Sequence, residues 1–463
     1  MKGQTETAVA DLCRLAGLSK AGLEHLDLSD ASGFLPSSFA VGLAAQASTA
    51  AAAAAANEIY ALRTGAYQDV RVARAAAERE CTGYFQKDGS TPNAWAPFSG
   101  LYETADGHVR IHANFDHHRD GALQLLGLDA GQHDKADVAA ALAGWSAQDF
   151  EDAAAEAGLV VSRARSFDEW VRHPHALASA EEPPLRLTRI GEALPEPMQP
   201  TGRNSRPLEG LRALELTRIL AGPVCGRTLA AYGADVMLVN APHLPNIDNL
   251  LDTSRGKRSA LLDLRKLEGS NTLRQLVAEA DVFIEGYRPG GLAALGFAPE
   301  NLAALRPGIV SASLSAYGIR GPWSARRGFD SLVQTATGFN HAEAQAFGSA
   351  SPQALPVQIL DYASGFLMAL GVQAALLRRA REGGSWHVSV SLLSTANWLR
   401  RLGRTAQTPD RKAGLKDGLR EYPCEEAVLL GMPHGAEFSE TPARWERSSA
   451  LPGRDEPVWE QST

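Results

Sequence analysis

Asp361 stands in Leu360-Asp361-Tyr362-Ala363-Ser364-Gly365, directly ahead of a long apolar stretch that reads as a helix from Phe366 to Arg379. A carboxylate at such a loop-to-helix junction lies where first-turn amides and the helix dipole favour negative charge. Once ionised, it could attack an activated acyl carbon. The second group of reactive residue types is His108, His112, His117 and His118, with Asp116 among them. His108 and His112 share one face of an alternating segment, but no cysteine or further carboxylate completes a familiar ligand set, so no metal is expected. GxSxG, Walker A and GxGxxG patterns are absent, which removes the usual serine hydrolase, P-loop and dinucleotide signatures.

The elements that must position Asp361 begin near Pro207. Short apolar strands at Ala213–Leu216, Val236–Val239, Val282–Ile284 and Ile309–Ser313 alternate with helices at Pro223–Tyr232, Asn271–Glu279 and Pro299–Leu305. That order predicts an α/β fold with a mostly parallel, Rossmann-like sheet, and ligands in such sheets bind beyond the carboxyl ends of the strands. After Asp361 and its helix come Gly383-Gly384 and a strand at His387–Val390.

Upstream, residues 8–28 read as one or two short helices, and Ser38–Leu62 as a closely packed alanine-rich helix, since alanine is the best helix former. A turn and a short strand at Asp69–Ala73 follow. Residues 38–73 can be laid on 356–391 without gaps, which sets Leu43 where Asp361 stands; this suggests one acid-bearing copy and one blank copy of the same helix-turn-strand unit. From about 96 to 200 the texture is α+β, with a hairpin around Ala105-Asp106-Gly107 and helix starts at Ser146 and Ser166. Proline-rich linkers at 181–184 and 195–207 mark a boundary. The expected units are therefore 1–80, a helical segment with the degenerate copy; 81–200, a small α+β domain; 205–400, the large Rossmann-like domain; and 401–463, an extended wrap or tail.

A chain of 463 residues with net charge −8 argues against nucleic acid as the main partner. No apolar run long enough to cross a bilayer is read from the sequence, and no membrane is expected. The cysteines Cys13, Cys81, Cys225 and Cys424 are scattered and form no CxxC pair, as suits a reducing compartment, and the first residues lack a signal-peptide core, so the expected location is cytoplasmic.

Six blocks now stand in order: RPLEGLRALELTRILAGPVCGRTLAAYGADVMLVNAP, SRGKRSALLDLRKLEG, ADVFIEGYRPGGLAALGF, SASLSAYGIRGPW, RRGFDSLVQTATGF and LDYASGFLMALGVQAALLRRAREG. Together they resemble the large domain of the class III CoA-transferases, the CaiB/BaiF group. GLYETADGHVRI and SFDEWVRHPHALA are similar to that family's small domain, which here precedes the large one instead of following it. The resemblance implies a CoA-transferase whose substrates are an acyl-CoA and a carboxylic acid, with coenzyme A as the carried group and no metal. It implies acylation of Asp361 to a mixed anhydride, return of the thiolate to an enzyme-CoA thioester, and an interlocked homodimer. It also implies CoA contacts at Leu220 and Ala221 in the first strand-to-helix turn, at Gly286, Tyr287 and Arg288, and at Arg265 and Lys257, with Arg258 beside the last. Where the racemase branch of the fold carries a histidine before aspartate, this chain has Phe329-Asp330, which favours transfer over proton abstraction from both faces. Two alternatives remain open, a CoA-dependent racemase or isomerase and a CoA-binding subunit without catalysis.

Overall fold

Short apolar strands with successive residues on opposite faces build one seven-stranded sheet. The computed structural model describes residues 2–93, 95–129, 131–405, 418–425, 427–449 and 451–460. The sheet contains β1 (Arg186–Gly191), β2 (Arg212–Leu216), β3 (Asp235–Asn240), β4 (Lys257–Leu261), β5 (Val282–Glu285), β6 (Val310–Ser315) and β7 (Ser385–Ser391). Their spatial order is β4-β3-β2-β5-β6-β7-β1; β2 to β7 run parallel, and β1 closes the edge antiparallel to β7. The order reverses between β2 and β5, the doubly wound arrangement in which a ligand crevice opens outside the carboxyl ends of the strands.

Period-two burial explains the two layers around this sheet. Ala213, Val236 and Val282 join a core shared with helices Val41–Thr64, Ala221–Ala231 and Ile359–Glu382. Their neighbours Leu214, Met237 and Phe283 join a second core beneath helices Leu267–Ala278 and Pro299–Leu305. The alanine-rich helix is thus a layer of the large domain. Arg227 reinforces this, its guanidinium 3.1 Å from Glu80 in full burial, so the first 80 residues do not form a separate unit.

Three elements depart from the sequence expectation. β4 is a strand absent from the sequence reading, buried despite Lys257 and Arg258; each charge is paired, Lys257 with Glu215 of β2 and Arg258 with Asp235 of β3, so the sheet accommodates both. β1 lies inside the span expected for the small domain; as a half-exposed edge strand it carries little hydrophobic alternation. The Asp361 helix starts at Ile359 instead of Phe366, so Asp361 occupies its first turn. Ser364 and Gly365 are poor helix formers, and tertiary packing overrides them. The Ser364 hydroxyl bonds Thr395, and a Cβ at Gly365 would come within 2.6 Å of the Ala221 carbonyl oxygen, so only glycine permits this helix to approach. By length and hydropathy this helix does qualify as a membrane-spanning segment, contrary to the sequence reading, but its apolar stretch is wholly buried within the protein.

A small α+β unit is built around the antiparallel pair Gly100–Glu103 and His108–Ile111, with Val161–Arg163 as third strand. Ser146 and Ser166 cap their helices, the latter in a reciprocal capping box with Glu169. This domain docks on the large one through Arg165 N–H to the Thr335 carbonyl and Arg326 to the Val161 carbonyl. Of the C-terminal wrap, residues 406–417 lie outside the described residues; beyond them Trp445 and Trp459 are buried, the Trp459 indole donating to the Leu276 carbonyl.

Candidate active site

Asp361 lies at the junction of two cavities. The first, of about 310 Å3, sits at the reversal of strand order and is walled by the turn after β2 (Arg218 to Ala221) and the turn after β5 (Gly286 to Pro289). It shares Leu244, Tyr287 and Arg288 with an apolar cavity of about 220 Å3 at the ends of β2 and β3, where Arg265 stands. The other cavity at Asp361, of about 280 Å3, shares Ile219, Leu220, Phe329 and Asp361 itself with the first. One carboxylate therefore faces a three-part channel, with cationic side chains on one side of it only.

Local backbone shapes this junction. Ile219, at φ +76°, is a β-branched residue in the left-handed region, a strained conformation held by the turn between β2 and its helix. The helices starting at Ala221 and Ile359 both lack a side-chain cap, leaving first-turn amides for an anion or for backbone partners. The Asp361 N–H uses one such partner, donating to Asp330 Oδ2 at 3.0 Å.

The electrostatics are those of two buried acids. Asp361 is 7% exposed and Asp330 1%. Burial, followed by the charge of Asp330, pushes the Asp361 carboxyl well above the ordinary range. Burial raises Asp330 to about 7 against the opposing hydrogen bonds from the Asp361 N–H and Gln334 and the charge of Arg110. Two such groups do not both ionise readily, so the pair holds on to a proton near neutrality. Once ionised, Asp361 is a desolvated carboxylate, a stronger nucleophile than one in water.

The residues expected from the sequence divide into two groups. Leu220, Ala221, Gly286, Tyr287 and Arg288 line the first cavity with Asp361, and Arg265 lines the adjoining one, its exposed guanidinium resting on Asp263 at 2.8 Å. Lys257 is elsewhere: 0% exposed, its ammonium 2.7 Å from Glu215 and donating to the Pro223 carbonyl, it holds the helix onto the sheet and faces none of the three cavities. Arg258 is likewise spent on Asp235 and Glu460. Sequence reasoning missed Arg218, Arg327, Phe115, His117 and His118 in the first cavity and Trp95 and His112 in the other. The histidine cluster was the available signal: through His112, His117 and His118 the small domain reaches the cavities at Asp361. Phe329 stacks on His112 with ring centroids 4.0 Å apart, so the aromatic residue before Asp330 anchors that contact.

A cation-rimmed channel at a nucleotide-type crevice suits a long phosphorylated carrier. Its cations are Arg218, Arg288, Arg326 and Arg327 in the first cavity and Arg265 in the second, the apolar second cavity suits a base, and the small residues Ala221 and Gly286 let a thin chain pass. The sequence profile of CoA-transferase family III matches residues 17–186 and 208–421. A probable fatty acyl-CoA transferase of Mycobacterium tuberculosis is 35% identical over 42% of this chain and 53% of its own length. A succinate–glutarate CoA-transferase of Agrobacterium fabrum is 35% identical over 40% of this chain and 51% of its own length. A solved CaiB/BaiF family protein from Brucella suis is 29% identical over 48% of this chain and 65% of that one, with a TM-score of 0.36. The chain spans about half the length of the curated relatives it matches. With the family profile covering most of its length, the chain belongs to CoA-transferase family III.

Proposed function

We propose that this chain moves CoA from an acyl-CoA to a free carboxylic acid, with Asp361 as the nucleophile. The observation that carries the reading is the position of one buried carboxylate between a channel with arginines and a cavity without them. An Asp361 oxygen attacks the thioester carbon, the C–S bond breaks, and CoA thiolate leaves a mixed anhydride. The thiolate then attacks the Asp361 carbonyl carbon and releases the donor acid, giving the enzyme-CoA thioester. The acceptor carboxylate attacks this thioester, and the returning thiolate takes the new acyl group and frees Asp361. Arg218, Arg288 and Arg265 hold the carrier, and the uncapped helix N-terminus at Ala221 favours the negative charge that develops during each attack. Phe329 in place of a histidine leaves no second base before Asp330, which supports transfer over racemisation. The same reading places the enzyme in the cytoplasm as an interlocked homodimer, checked by sedimentation.

The test is exchange between unlike acids. Purified protein mixed with one acyl-CoA and a panel of free acids is followed by chromatography of the CoA esters. New acyl-CoA that forms with the wild type and not with Asp361→Asn supports the reading. CoA binding without exchange on any acid would favour a non-catalytic subunit.

A further inference from the structure

The cavity beyond Asp361 on the arginine-free side has a distinctive wall. Phe85, Trp95, His112, Phe329 and Tyr362 line it. Trp95 meets His112 edge-on at 5.9 Å and His112 lies flat on Phe329 at 4.0 Å, so three rings from both domains form one continuous surface. No lysine or arginine lines this cavity among the described residues. The Arg110 guanidinium lies 4.8 Å over the Trp95 ring, outside the lining. Burial pushes the His112 imidazole down to about 3, so it is neutral near pH 7. The carboxyl side chains at the wall are Asp330 and Asp361.

These facts discriminate between classes of acyl group. A second carboxylate on the substrate would lose its hydration beside two acids, with no lysine or arginine in the lining to pair with. A flat aromatic ring would instead find ring edges and faces at stacking distance. Three buried polar atoms of lining residues, His112 Nδ1, Ser331 Oγ and Tyr362 Oη, have no hydrogen-bond partner among the described residues.

We propose that this cavity is the acyl subsite and that it takes a compact aromatic monocarboxylic acyl group and discriminates against dicarboxylic ones. The proposal rests on the reading of Asp361 as the acylated nucleophile, and the experiment separates the two. The full chain is given benzoyl-CoA, phenylacetyl-CoA, succinyl-CoA or glutaryl-CoA, with transfer rates measured and Asp361 labelling by hydroxylamine read by mass spectrometry. The aromatic donors are expected to show kcat/KM higher by about tenfold or more, the discrimination that buried, unpaired charge enforces. Equal or better use of the dicarboxylic donors, with Asp361 still labelled, overturns the subsite while sparing the nucleophile. No labelling from any donor overturns both. Thr91, an exposed residue at the rim of this cavity, supplies the second arm. Thr91→Arg brings a counter-charge and should shift the succinyl-CoA to benzoyl-CoA ratio by about tenfold toward succinyl-CoA. An unchanged ratio would place the acyl group elsewhere.

Discussion

Two helices of this protein have the same length and lie side by side, yet only one begins at a cavity. Val41–Thr64 and Ile359–Glu382 each span 24 residues, and the register that sets Leu43 on Asp361 also sets both their starts and both their ends together. Both end at a glycine with positive φ, Gly65 and Gly383. Gln373 donates to the Ala52 carbonyl across their contact, and Arg381 reaches Glu58. What differs is what stands in front of the first turn. Asp361 faces the turns after β2 and β5, where the strand order reverses and the sheet opens into cavities. The start of the other helix is filled: Phe39 packs edge-on against Phe167 and Phe339, and the Glu78 carboxylate lies against Gly42. A helix start is open to a ligand where the fold leaves a crevice before it, and plugged where it does not.

The largest effect should come from the acid itself. Asp361→Asn should lower CoA exchange by about 10^4-fold or more, as loss of a nucleophile does, with no drop in melting temperature. Placing an acid in the other helix tests the contrast from the opposite side. Leu43 is 5% exposed, so Leu43→Asp should cost about 3 kcal/mol in urea unfolding and restore no activity to Asp361→Asn. Recovered exchange would show that the two helix starts are interchangeable.

Two basic residues sharpen the division between scaffold and site. Lys257→Met strands the buried Glu215 carboxylate and should destabilise by about 3–5 kcal/mol. Arg288→Ala should leave the melting temperature alone and raise KM for acyl-CoA about tenfold, a loss of one charged contact. The reverse pattern would move Lys257 back into the binding site.

The smallest effect is the most diagnostic of the acid pair. Asp330 has a raised folded value, about 7, so the stability it contributes is complete below the ordinary carboxylate range and is lost as pH rises through 7. The wild type should therefore melt lower at pH 8 than at pH 5 by a margin that Asp330→Asn reduces. Because attack needs the ionised nucleophile, activity should rise with pH. Removing the neighbouring charge should move that rise to lower pH, and a profile that stays in place would mean the two acids do not interact.

Much of this was legible in the sequence, for identifiable reasons. The strands around β2, β3, β5 and β6 are short apolar runs bounded by turn residues, and the turns at Leu220 and Gly286 follow from them. β4 was hidden because its first residues are charged, and only the carboxylates of neighbouring strands make them tolerable there. The same limit left Lys257 as a CoA contact implied by the resemblance: a sequence does not show whether a cation's partner is a ligand or Glu215. The aromatic cavity was illegible because Phe85, Trp95, His112 and Phe329 are far apart in the chain and meet only when the small domain docks. Ile219 gave no hint of its left-handed backbone, which a glycine would have advertised.

The central claim is that Asp361 becomes covalently acylated. The direct measurement is peptide mass spectrometry after the protein is incubated with an acyl-CoA and quenched with hydroxylamine. The account predicts a hydroxamate on the Asp361 peptide that is absent from Asp361→Asn and absent without acyl-CoA. Active CoA exchange with that peptide unmodified, or with the label on another carboxylate, would contradict it.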